Sequence, residues 1–94
     1  MNESTTDNTN KERKAGRLML WGNYKDALKL YQVLFEKTGD PDFLDLQRDC
    51  ATLLNNTELL RRVDELGIER GVYQPIEGVY PPVTRKLSPQ PQLG

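Results

Sequence analysis

The sequence predicts an all-α fold of three to four antiparallel helices, followed by an extended, proline-rich C-terminal tail. Three observations predict it. Apolar residues recur at steps of three and four between Ala15 and Leu66, the spacing that stacks side chains on one helical face. Breaks at Gly22-Asn23, Gly39 to Pro41, Asn56 and Gly67 divide that pattern into segments of helical length. From Ile68 onward the periodicity is lost, and every proline except Pro41 lies there. The chain therefore divides into a polar leader (1–10), a helical domain (11–68) and a tail (69–94).

The leader has no apolar residue after Met1 and reads as disordered. Its acidic, polar character does not match a signal or transit peptide. The first helix runs from Lys11 to Trp21, with Asn10 as N-cap. Ala15, Leu18 and Met19 share its apolar face, and Leu20 and Trp21 flank that face on opposite sides. Lys11, Arg13, Lys14 and Arg17 form a basic cluster, read as a solvated face or as a phosphate-binding patch.

Gly22-Asn23 fits a tight turn between antiparallel helices. The second helix, Tyr24 to Lys37, is the clearest in the chain. Tyr24, Ala27, Leu28, Tyr31, Leu34 and Phe35 lie on one face, widened by Leu30 and Val33. So wide an arc predicts a central helix with two neighbours, and Gly39 is a natural stop. Asp40-Pro41-Asp42 then starts a third helix that runs to Asn55. Asp40 caps it, Pro41 takes the first helical position, and Asp42 complements the positive helix end. Phe43, Leu46, Cys50, Leu53 and Leu54 make its apolar face, with Leu44 and Ala51 at the edge. Gln47 falls inside that face, as a hydrogen-bonded core amide or as a polar group lining a groove. Asn56 or Thr57 caps a fourth helix, Glu58 to Leu66, with Leu59, Leu60, Val63 and Leu66 on its stripe. Gly67 is expected to end it, with Ile68 packing back on Val63.

The tail repeats Gly-Val-Tyr-x-Pro at 71–75 and 78–82. Its prolines impose extended geometry and remove donors. Tyr73 and Tyr80 either anchor the tail in a partner's groove or fold back over the helices. Thr84 to Gly94 is rich in proline and glutamine and reads as disordered.

Composition excludes much chemistry. The 94 residues include no histidine, so imidazole catalysis and histidine metal ligation are absent. The one cysteine, Cys50, sits on an apolar face and reads as a small buried hydrophobe. It has no internal disulfide partner, which suits a reducing compartment and a cytoplasmic location. Asp40, Asp42, Asp45 and Asp49 do not meet the EF-hand pattern, because Leu44, Asp45 and Ala51 occupy its fifth, sixth and twelfth positions. No phosphate-binding glycine loop exists, and no apolar run approaches the roughly 20 residues that span a bilayer. No catalytic, cofactor-binding or metal residues are expected. The net charge of −1 gives no global attraction to nucleic acid.

Gly22-Asn23-Tyr24-x-x-Ala27-x-x-x-Tyr31-x-x-Leu34 resembles the second half of a tetratricopeptide repeat. In that family a glycine marks the turn, a tyrosine opens the second helix and a small residue permits close packing. Ala15 falls where the first helix of the family carries a small residue. The resemblance covers 11–41 well and 42–67 poorly. Pro41 comes two residues later than the family's proline, and the tryptophan expected near the start of the first helix is missing. The resemblance implies two helix-turn-helix units. Arrays of this kind need three or more units for stability, so it also implies a partner, dimerisation or a capping segment. The expected function is a non-enzymatic protein–protein interaction module: an adaptor, chaperone or accessory subunit that binds another protein or complex, or itself. Tyr24, Tyr31, Phe35, Tyr73 and Tyr80 are the expected contact residues, since aromatics supply large contact area. The alternative is a nucleic-acid-binding regulator using the basic residues of the first and fourth helices, including Arg61 and Arg62.

Overall fold

The computed structural model describes residues 3–75 and 83–85. Its four helices are α1 (Glu3–Leu20), α2 (Tyr24–Thr38), α3 (Asp42–Leu53) and α4 (Thr57–Glu69). Each packs on its neighbours in sequence, with α2 between α1 and α3. The wide apolar arc of α2 is thus explained. Ala27, Leu28, Tyr31, Leu34 and Phe35 are all buried, and the Arg70 guanidinium lies 5.6 Å from the centre of the Phe35 ring. Tyr31 stacks on Phe43 of α3, with ring centres 6.1 Å apart.

Short left-handed stops end the helices. At the end of α1, Gly22 N–H donates to the Met19 carbonyl and Asn23 N–H to that of Leu18, with Gly22 at φ 78°. This paired bonding is a Schellman stop. The same pair of bonds recurs after α3, from Asn55 to Thr52 and from Asn56 to Ala51, with Asn55 at φ 57°. It recurs again after α4, from Gly71 to Ile68 and from Val72 to Gly67. The α1–α2 and α3–α4 turns are therefore alike in geometry, and Gly22 and Asn55 stand 33 positions apart. The expected starts of α3 and α4 are also present. The Asp40 carboxylate accepts from Asp42 N–H at 2.9 Å, Pro41 adopts helical angles, and Asn56 caps α4 by accepting from Leu59 N–H at 3.0 Å.

Four features differ from the expectation. Helix α1 begins at Glu3 rather than Lys11, so most of the presumed disordered leader is helical. The segment lacks an apolar signal but gains an Asp7–Lys11 pair one turn apart and a second pair from Asp7 to Lys37 of α2. Helix α4 runs through Gly67 and stops at Gly71 instead. The buried arc of α3 is rotated: Leu44 and Ala51 are fully buried, while Leu53 is exposed. Its centre is Gln47, whose amide donates to the Tyr31 carbonyl at 3.4 Å, so Gln47 is a bonded core amide. Finally, Thr84 and Arg85, expected to be disordered, belong with Val83 to a short strand. It pairs antiparallel with Tyr73–Pro75, in the register Tyr73 to Arg85. These two short strands are β1 and β2.

Candidate interaction surface

The structure divides the five aromatic residues singled out from the sequence. Tyr31 and Phe35 are buried in the α2 face, and Tyr24 is half-buried. Tyr73 is only 3 % exposed. Tyr80 lies outside the described residues. The expectation that Tyr31, Phe35 and Tyr73 offer their rings to a partner is thereby corrected: these rings pack on the chain's own helices. A central helix buries its aromatics first, because they remove the most apolar area from water.

Tyr73 holds the start of the tail against α3 and α4. Its ring lies directly over Gly67 of α4, where any side chain would occupy the same space. Its hydroxyl donates to Asp45 Oδ1 at 2.5 Å, and the Arg48 guanidinium lies 5.6 Å from the ring centre. Arg48 in turn donates from Nε to Asp64 Oδ1 at 2.5 Å. Arg85, opposite Tyr73 on β2, pairs with Asp45 and Asp42. Burial first, then the bond to Asp45, holds the Tyr73 hydroxyl far above its ordinary range. The other Asp64 oxygen, Oδ2, is buried without a hydrogen-bond partner. The arrangement is a polar clasp around one aromatic ring.

Cys50 is fully buried, and its thiol donates to Met19 Sδ at 3.3 Å. Burial, and next Asp49, push the thiol from 9.0 up to about 11. The folded state thus keeps a proton that the unfolded thiol gives up. This contribution to stability is complete below about pH 9 and is lost as pH rises through about 11. Alkaline unfolding followed from pH 8.5 to 11 is expected to show a shallower loss in Cys50→Ala than in the wild type, once each is referred to its own neutral-pH stability. Equal slopes contradict the assignment.

The Met19–Cys50 contact also sets the C-terminal ends of α1 and α3 side by side. Among the described residues, the three most exposed large apolar side chains lie at the ends of these two helices. Leu20 is 85 % exposed, Trp21 73 % and Leu53 52 %. The Schellman turn at Gly22 fixes the direction of Trp21, whose N–H still bonds to the Arg17 carbonyl. The sequence did carry this signal. Leu20 and Trp21 stand off the Ala15-Leu18-Met19 face, so a core built on that face cannot receive them.

The basic residues divide in the same way. Lys11 and Lys37 share Asp7. Arg61 and Arg62 pair with Glu58 on their own helix. Arg13, Lys14 and Arg17 are exposed and form no ion pair among the described residues. No helix of the described residues is long and apolar enough to cross a membrane.

Compared with known proteins, the chain matches no family model, and neither a curated protein nor a solved structure is similar to it.

Proposed function

We propose that the protein is a small, non-enzymatic protein–protein interaction module, acting as an adaptor, chaperone or accessory subunit. The observation that carries this reading is the exposed Leu20-Trp21 pair at the α1–α2 turn. A tryptophan projecting from a rigid turn offers a large contact area at low entropic cost, and tryptophan is the residue type most enriched at binding hot spots. The tetratricopeptide-like reading is supported by two helical hairpins whose stops recur 33 residues apart, close to that family's period of about 34. In this reading the Tyr73 clasp is the capping segment that lets two units stand alone, because it covers the open side of α4.

Nucleic-acid binding is the weaker reading. It calls on the basic residues from Lys11 to Arg17 together with Arg61 and Arg62; of these, Lys11 already pairs with Asp7 and Arg61 and Arg62 with Glu58, and the chain as a whole carries a charge of −1.

The test is affinity capture from the native source with the wild type and with Leu20→Ser/Trp21→Ser. The double variant is expected to keep its melting temperature, since both side chains are solvent-exposed, and to lose the bound protein. Undiminished capture by a folded double variant contradicts the reading.

A further inference from the structure

Charge is not spread evenly over this chain. Between Lys11 and Lys29 there are six basic and two acidic side chains, a net +4, in a chain whose total is −1. The remainder therefore carries −5. On α1 the basic residues have a definite placement. Arg13, Lys14, Arg17, Leu20 and Trp21 follow one another at helical steps of one, three, three and one, and fall within a single arc of about 120°. Ala15 and Met19 lie on the opposite side, toward the core. All five side chains of the arc are exposed. The result is a straight stripe about 12 Å long, cationic for little more than one turn and apolar at its end.

We infer that this stripe is the docking surface for an acidic amphipathic helix of a partner protein. The inference rests on the reading given under Proposed function and assigns that partner its chemistry. Carboxylates on the partner would lie along Arg13, Lys14 and Arg17, and an apolar side chain would meet Leu20 and Trp21. Three observations favour this occupant. The cations are uncompensated by any ion pair among the described residues, so an acidic partner supplies charge that the fold itself does not. The stripe is linear and lies on a helix, which suits a rod-like element packed alongside. A planar anionic membrane would face the rest of the molecule as well, with its −5, whereas a helix-sized partner samples the stripe alone.

Trp21 is the only tryptophan, so its emission reports on the site directly. The full chain is titrated separately with a Glu/Leu amphipathic helical peptide, its Lys/Leu counterpart and phosphatidylserine vesicles. A blue shift with the Glu/Leu peptide alone is expected. It should weaken with salt and fall by about tenfold in affinity in Arg13→Glu/Arg17→Glu, whose fold is checked by circular dichroism. Equal shifts with both peptides overturn the acidic assignment and leave the apolar interaction reading standing. A shift with vesicles only overturns it in favour of a lipid surface. The absence of any shift overturns it as well, and capture from the native source then decides the broader reading by itself.

Discussion

Gly67→Ala is expected to destabilise the protein by about 1–3 kcal/mol, the usual cost of forcing an extra methyl group into packed surroundings. The sign is the informative part. Glycine inside a helix is ordinarily unfavourable, and its replacement by alanine there gains up to about 1 kcal/mol. At Gly67 the new Cβ would lie less than 3.0 Å from three carbons of the Tyr73 ring. Either the ring leaves its seat or α4 moves. Gly16 is the internal control. It is also helical, and a Cβ there meets nothing within 4 Å, so Gly16→Ala is expected to stabilise by roughly 0.5–1 kcal/mol. Chemical denaturation of both variants checks the pair. Opposite signs support the packing of Tyr73 on α4, and a gain at both positions contradicts it.

Tyr73→Ala is expected to cost about as much as Leu34→Ala, on the order of 2–5 kcal/mol each. Leu34 is fully buried on the core face of α2, and its truncation leaves a cavity in the core. Tyr73 lies at the edge of the helical array, in a segment whose sequence reads as tail. If that segment were peripheral, removing its ring would cost little. The structure buries the ring over Gly67 and bonds its hydroxyl to Asp45, so its loss removes a large apolar surface and takes the donor from one Asp45 oxygen, while Arg85 still pairs with the other. For a domain of this size either change removes a large part of the total stability. Thermal unfolding of the two variants side by side provides the comparison. A drop for Tyr73→Ala much smaller than for Leu34→Ala would return the tail to the periphery.

The helices were legible because each buries one face, and burial writes a periodic pattern into the chain. Gly22, Gly39 and Asp40-Pro41 were legible for a related reason: each carries a backbone requirement that few residues meet. Gly67 was misread because glycine serves two ends. It can supply a left-handed stop, or it can make room. At Gly67 the second use holds, and the ring that needs the room comes from outside the helical pattern. The first eight residues of α1 were missed because charge pairs such as Asp7 with Lys11 and Lys37 hold part of that segment without an apolar signal. The burial of the expected contact rings was missed for the opposite reason. Tyr31 and Phe35 sit on the strongest apolar face of the chain, and in a helix with neighbours on both sides that face is core. The large apolar residues left in solvent at the end of α1 are those that the pattern could not use. Leu20 and Trp21 follow the Ala15-Leu18-Met19 face without belonging to it, at a stop that leaves them in solvent.

The account turns on Trp21 being free in the isolated chain and covered in the complex. The direct measurement is the solvent exposure of a fluorine-labelled Trp21, read by resonance shift and quencher access in the free protein and in the complex isolated from the native source. The expected result is an exposed ring in the free chain that becomes shielded on assembly, with no change in the environment of Tyr73. A Trp21 that stays equally accessible in the complex, or a Tyr73 that leaves its seat over Gly67 to make the contact, contradicts it.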